Sequence, residues 1–364
     1  MRATRRWGSA TLAGVIVSMA LAGCQPPPPP GHNAVYVHYY LWWSVQHWQD
    51  KLGAGYPYGA SPAPAPGSMD SSGCNPQVRY PGSTIVDVPS EGLYNQDVAS
   101  TFDLHIAEAV QAGLRGFLVS WQGTGATGQS PSSSSYNSRL DTLAARVNAY
   151  NLTHGADFGL GLAFASYGNY ARPASAVVND LRYFAARYGS NPAFRNSYSN
   201  KPLTMLLDSR KWTPLVGSAG AVLPQAHAAV DPSLYLVGDE TASSWPADAP
   251  YLDATSYYWS SENPWTNSSA QSSVDALGAE VHAAGKRWFP PVIAGYDKQL
   301  VGGQCVPRDG IATLDKDWAV NKTSNPDGWF AISWNEFVEN TYIEPSANYG
   351  SKYLNELGRL ARNG

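Results

Sequence analysis

The chain has 364 residues, of which 14% are charged where about 25% is usual, yet it holds 13 Trp and 22 Tyr. With the arginines of a short leader (Arg2, Arg5, Arg6) set aside, 21 Lys and Arg face 28 Asp and Glu, a formal charge of −7 that argues against nucleic acid as a partner. So weakly charged a surface must be polar through Ser, Asn, Thr, Gly and aromatic groups, a profile suited to extracellular proteins whose flat rings pack on sugar faces, although a large core takes a share of the same rings.

The leader's three arginines precede an apolar run from Thr11 to Ala22 that is too short for a membrane helix, so residues 1–23 read as a secretory signal. It ends in "LAGC" (Leu21 to Cys24), which resembles the lipobox of bacterial lipoproteins, where the cysteine becomes the lipidated first residue. Residues 24–33, with five consecutive prolines, form a stiff extended linker that holds the following domain off the membrane. The expectation is an exported protein, lipid-anchored to the cell envelope or surface and touching membrane only through that lipid. Cys24 being taken, Cys74 and Cys305 remain as one pair in an oxidising compartment, and a disulfide is the natural reading.

From Ala34 to Arg362 strand and helix patterns alternate. Strands are predicted at 34–43, 116–121, 158–167, 202–208, 234–240, 252–259, 288–296 and 329–336. Several are apolar without strict alternation, as parallel strands covered on both faces are. Helical stripes follow: Val98, Phe102, Ile106 and Val110, closed by Gly113; Leu140, Leu143 and Val147; Val177, Leu181, Phe184 and Tyr188; Val274, Leu277 and Val281; and Tyr353, Leu354, Leu357 and Leu360. Helices after the fourth and fifth strands are weakly signalled. Eight strand and helix units in residues 34–362 predict a single (β/α)8 TIM barrel of the α/β class, and no GxGxxG or phosphate loop favours an open doubly wound sheet.

A barrel of this kind builds its site at the carboxyl ends of the strands. Those ends carry Trp42 and Trp43, Trp121 and Gln122, Tyr167 and Asn169, Asp208, the pair Asp239 and Glu240, Tyr257 to Trp259, Tyr296 with Asp297, and Asn335 with Glu336. Two long loops, 44–95 with Cys74 and 297–307 with Cys305, lie on the same face, so the predicted disulfide ties the rim together.

Glycoside hydrolysis uses two carboxyl groups flanking the scissile bond, within aromatic walls. Glu336, Asp208 and Glu240 are the catalytic candidates, because each closes a strand; a helix cap for Asp208 and a solvated loop place for Glu240 are the bland alternatives. Trp42, Trp43, Trp121, Tyr167, Tyr258 and Trp334 are expected to line subsites, with His38 and Asn335 as polar contacts. Glu339 and Glu344 are expected to position substrate or to bridge to arginines. His38 and His47 lack any metal-ligand spacing, no GxSxG elbow occurs, and neither metal nor other cofactor is expected.

The segments "GLYNQDVASTFDLHIAEAVQAGLRGFLVSWQG" (92–123), "DLRYFAARYGSNPAF" (180–194) and "ISWNEFVENTYIEPSANYGSKYL" (332–354) resemble the barrel of glycoside hydrolase family 99, and the last strand is also similar to that of family 71, the α-1,3-glucanases. The likeness implies a (β/α)8 fold and retaining, endo-acting cleavage of α-mannosidic links without a metal. The chain departs from the family at the third strand. There the family carries a catalytic glutamate in a Glu-Pro-Tyr run, and an ungapped match places Tyr167, between Ser166 and Gly168, at that position, while Arg172 matches the arginine downstream. A mechanism in which that carboxylate deprotonates the sugar 2-hydroxyl does not carry over.

Two readings follow. One is a glycoside hydrolase acting on an extracellular α-linked polysaccharide, an α-mannan or α-glucan. The other is a surface lipoprotein that binds glycan after losing catalysis, motivated by Tyr167.

Overall fold

The computed structural model describes residues 33–125, 133–167, 170–196, 198–212 and 222–363, so the leader, the lipobox and nearly all of the linker lie outside the described residues, as do Gly168 and Asn169. The main sheet is formed by β1 (Val35–Tyr39), β2 (Gly116–Trp121), β3 (Gly159–Ala165), β4 (Leu203–Leu207), β5 (Tyr235–Asp239), β6 (Ala254–Ser256), β7 (Arg287–Phe289), β8 (Pro291–Ile293) and β9 (Trp329–Ile332). All neighbours are parallel, in the order β8-β9-β1-β2-β3-β4-β5-β6-β7.

Only Pro290 separates β7 from β8, so the two ends of the sheet are halves of one stave and the ring closes as an eight-stave barrel. Two adjacent prolines, neither with an N–H to give, interrupt the ladder there, while the Pro290 carbonyl still accepts from Phe330 N at 3.1 Å. The predicted seventh strand is therefore present but broken.

Alternation along the strands sorts side chains into two cores. Val35, Val37 and Tyr39 face the helices; Tyr36, with Leu118, Ala163, Leu203, Met205, Tyr235, Val237 and Phe330, fills the barrel. Burying each such side chain contributes roughly 1.5–3 kcal/mol. The filling is tight: a Cβ on Gly161 would stand 2.6 Å from Leu118 Cδ2 and 2.7 Å from Leu203 Cδ2, which is why β3 carries glycine at this inward position.

The outer layer holds α1 (Val45–Leu52), α2 (Ala99–Ala112), α3 (Ser133–His154), α4 (Ala174–Tyr188), α5 (Val222–Val230), the single turn α6 (Trp245–Asp248), α7 (Ala270–Ala283), α8 (Ala312–Lys322) and α9 (Lys352–Asn363). The five apolar stripes read from the sequence fall on α2, α3, α4, α7 and α9. Gly113, in the left-handed region at φ 84°, ends α2 by donating to the carbonyls of Ala109 and Val110. Helix α8 escapes sequence reading because its buried face includes Thr313, Asp317 and Asn321 beside Leu314 and Trp318, so no apolar stripe marks it. No helix among the described residues is long and apolar enough to cross a membrane.

Cys74 and Cys305 form the predicted disulfide, with Cα atoms 6.0 Å apart. Cys305 belongs to a two-stranded hairpin in which Tyr296–Asp297 pairs with Cys305–Val306, so the bond ties the loop after β1 to the loop after β8.

Candidate active site at the barrel mouth

A cavity of about 540 Å³ opens at the carboxyl ends of the strands. Its floor is set by the inward parity of β1: after Tyr36 and His38 the next inward residue is Tyr40, whose ring stacks on Trp42 at 4.3 Å and whose hydroxyl meets that of Tyr258 at 2.8 Å. His38 lies one layer below, buried edge-on to Tyr258 at 4.9 Å, and burial lowers its pKa to about 3. It is a neutral plug under the floor and not among the residues lining the cavity.

One wall comes from the segment after β9. Trp334 N donates to His38 O at 2.7 Å, and the Asn335 amide brackets the end of β1, accepting from Tyr40 N at 2.9 Å and donating to Tyr40 O at 3.0 Å. Asn335 is thus a fastener, fully buried, where a sugar contact was expected. This anchoring delivers Glu336 to the mouth, where its Oε1 accepts from Val338 N at 2.8 Å and Glu339 N at 3.3 Å. Burial pushes the Glu336 carboxyl up to about 8 and the Glu339 charge adds to the rise; the two backbone donors and Lys298 pull the other way. Glu339 lines the same wall, with Oε1 2.9 Å from Lys298 Nζ and Oε2 accepting from Ser260 Oγ at 3.2 Å. Lys298 sits on the hairpin that the disulfide tethers, and Asp297 N donates to Glu339 O at 2.8 Å, so hairpin and acidic loop hold each other.

The facing wall comes from β4 and β5, on the far side of the ring from β9. Asp208, in the left-handed conformation at φ 55°, lines the cavity and pairs with Arg210 and Lys211, each at 2.8 Å. Asp239 is buried behind it, accepting from Asp208 N at 2.8 Å, from Tyr258 N at 2.9 Å and from Arg210; burial raises its carboxyl to about 6 against the pull of that guanidinium. The Tyr167 ring, 38% exposed, carries Lys211 Nζ 4.2 Å from its centroid, and Tyr170 stands beside it on the rim. Arg172 is occupied below the rim by Asp180 at 3.0 Å and by the carbonyls of Ala165 and Tyr170.

Of the expected residues, Glu336, Asp208, Glu339, Trp42, Tyr167 and Tyr258 come together around this cavity. Glu240 does not. Tyr235, Val237 and Asp239 point inward along β5, so the next residue points outward: Glu240 is buried among the outer layer, its Oε1 2.5 Å from Ser209 Oγ and its Cγ beside Gly238 and Leu252. The same parity removes Trp121, which packs among Phe164, Tyr183 and Phe184 in the outer layer. Trp43 stacks on Trp48 at 3.8 Å outside the mouth, and Trp334 lies against Phe117 and His105. Glu344 bridges to a histidine instead of an arginine: it stands behind Trp334, buried with Tyr94 and 3.5 Å from His105 Nε2, which also meets the exposed Glu91 at 2.8 Å.

Sequence reasoning missed Tyr40, Tyr170 and Lys298. Tyr40 was findable, since it continues the inward parity of Tyr36 and His38. Lys298 carried no signal, because its place depends on a hairpin and a disulfide closing from opposite ends of the chain.

No protein-family profile matches the chain, and no curated protein matches its sequence. Among solved structures it is similar to the GH99 endo-alpha-mannosidase from Bacteroides thetaiotaomicron, with 17% identity and a TM-score of 0.65 over 91% of this chain and 99% of that one. The complex of that endo-alpha-mannosidase with bis-tris-propane gives 16%, 0.64, 91% and 97% in the same order. A glycoside hydrolase-like protein follows at 14% identity and a TM-score of 0.57, covering 75% of this chain and 89% of that one. The expected likeness to family 99 is thus present, as a shared fold.

Proposed function

We propose that this protein is a glycoside hydrolase acting on an α-linked mannan or glucan outside the cytoplasm, where the Cys24 lipid anchors it and the Cys74–Cys305 bond is at home. The observation that carries this reading is the pair Glu336 and Glu339: neighbouring carboxyls on one wall of the mouth, the first held neutral by burial up to about pH 8, the second bound to an ammonium. Two carboxyl groups whose surroundings differ in this way suit opposite roles in acid–base catalysis. Glu336 donates its proton to the glycosidic oxygen as the bond to the sugar lengthens. Glu339, with Lys298 and Ser260 fixing its orientation, supports the positive charge that develops on the ring or activates the attacking group.

Asp208, facing them and steadied from behind by Asp239 and Arg210, holds sugar hydroxyls, and Tyr40, Trp42, Tyr167 and Tyr258 offer ring surfaces for sugar faces. The structural likeness to an endo-alpha-mannosidase supports a mannan as the first substrate to test. The test is release of reducing ends from α-mannans and α-glucans by the mature protein. No release from any of them, or release that Glu336→Gln leaves unchanged, overturns the proposal.

Tyr167 favours a second reading. The ungapped sequence match sets Tyr167 where family 99 carries a carboxylate, Lys211 Nζ stands 4.2 Å from the centroid of that ring, and an aromatic platform beside an ammonium suits glycan capture without cleavage. That reading predicts polysaccharide binding that survives Glu336→Gln, Glu339→Gln and Asp208→Asn together, with no turnover by the wild type.

A further inference from the structure

A second cavity, of about 530 Å³, lies outside the barrel, between α7, α8 and the loops that follow β5 and β6. The loop after β6 separates it from the mouth and shows one face to each: Tyr258 and Ser260 line the mouth, while Tyr257, Trp259 and Glu262 line the second cavity. Its body is apolar, with Val274, Leu277, Pro291 and Val320 in the wall, and the Tyr257 and Trp259 rings meet edge to face at 5.5 Å. Its size and the mixture of apolar surface with a few polar groups are those of a small-molecule site.

Two of those polar groups are carboxyls. Asp317, on α8 and 3% exposed, accepts from Ile293 N at 2.9 Å and from Asn321 Nδ2 at 3.2 Å. Glu262 accepts from Asn267 Nδ2 at 2.6 Å through Oε1, whereas its Oε2 and the Asn321 Oδ1 are buried without a hydrogen-bond partner among the described residues. No lysine or arginine is among the described residues that line the cavity. Burial, with Glu262 adding, pushes the Asp317 carboxyl up to about 7, and burial raises Glu262 as well. Arg210 stands over the Tyr257 ring, 5.4 Å from its centroid, but no cation stands over the Trp259 ring among the described residues. Unpartnered acceptors, two acids and that ring form the complement of a cation on an apolar body: a bound ammonium draws the acids into their charged form, the Trp259 ring supplies cation–π attraction, and the aliphatic wall takes the remainder.

We propose that this cavity is a binding site for a small amphipathic organic amine, distinct from the barrel mouth and independent of what the mouth does.

Calorimetric titration with phenylpropylamine, phenylpropanol and phenylpropionate, near-isosteres that differ in head-group charge, tests it at neutral pH on the mature protein. The amine is expected to bind about tenfold more tightly than the alcohol, and the carboxylate most weakly. Glu262→Gln, which keeps the side-chain shape, is expected to bring the amine down to the affinity of the alcohol while leaving the alcohol unchanged. Asp317→Asn provides a second route if that variant misfolds. Trp42→Ala, at the mouth, is expected to leave amine binding as it was. Three results each overturn the proposal: no saturable amine binding by the wild type, alcohol binding as tight as that of the amine, or amine affinity that survives both carboxyl substitutions. Loss of amine binding in Trp42→Ala also overturns it, by assigning the ligand to the mouth.

Discussion

The ends of β5 and β9 offer an instructive contrast, because each delivers a buried glutamate whose carboxyl is pushed up to about 8, chiefly by burial. Glu240, after β5, faces outward to Ser209. Glu336, after β9, faces the mouth beside Glu339 and Lys298. A raised pKa therefore does not mark a site by itself. What separates the two is the parity of the strand and, beyond β9, the Asn335 bracket that carries the chain over the end of β1 before Glu336 emerges.

The contrast breaks most visibly in turnover. Glu336→Gln removes the proposed proton donor and is expected to lower kcat/KM on an α-mannan by roughly 10²- to 10⁴-fold, the usual range for a general acid. Glu240→Gln is expected to leave it within about twofold, since no proton transfer of the proposed reaction involves it. Equal loss in both variants would show that Glu240 reaches the chemistry after all.

In stability the two glutamates should behave alike. Each has a folded pKa of about 8 against an ordinary value of 4.5, so the folded state binds its proton more tightly than the unfolded chain does. The stabilisation is complete below about pH 4.5 and is lost as pH rises through about 8. One pKa unit corresponds to about 1.4 kcal/mol, so each group is worth on the order of a few kcal/mol across that window. Urea unfolding between pH 5 and pH 9 should show stability falling with pH in the wild type, and falling less in either glutamine variant. A slope unchanged by both substitutions would mean that neither carboxyl is held neutral in the folded protein.

The disulfide sharpens the contrast from the side of the rim, because it tethers the hairpin of Lys298 near Glu339, whereas no disulfide holds the loop after β5 among the described residues. Cys74→Ser is expected to cost about 2–4 kcal/mol of stability. It should also raise KM more than it lowers kcat, by loosening a wall of the mouth. An unchanged unfolding midpoint under non-reducing conditions would count against the tether.

Much of the fold was legible in the sequence, because apolar strands bounded by turn residues and amphipathic helices with glycine stops are local signals. Helix α8 was not legible, since polar residues fill its buried face, and the break at Pro290 showed only as two prolines within a strand. The site was half legible. Strand ends identified Glu336, Asp208 and Trp42, and the outward parity of Glu240 and Trp121 was available from Val237 and Leu118, which fill the barrel. Lys298 required the chain to close on itself, because its partner Glu339 lies 41 residues away and the bond that steadies its hairpin spans 231.

That lysine supplies the finest distinction between the two strand ends, since its charge acts on Glu336, while the groups acting on Glu240 are Ser209, Ser244, Asp248 and Asp239. Lys298 lowers the Glu336 pKa directly, so Lys298→Met should raise it and move the basic limb of the kcat/KM profile to higher pH, by a fraction of a unit to about one unit. Loss of the ammonium also frees Glu339 to move, so the maximum rate should fall modestly, by about three- to tenfold. Lys298→Arg keeps the charge and should return the limb to its place even if the rate is only partly restored. A limb that stays fixed in Lys298→Met, or that moves equally in the arginine variant, would mean that the ammonium does not act on Glu336 through its charge.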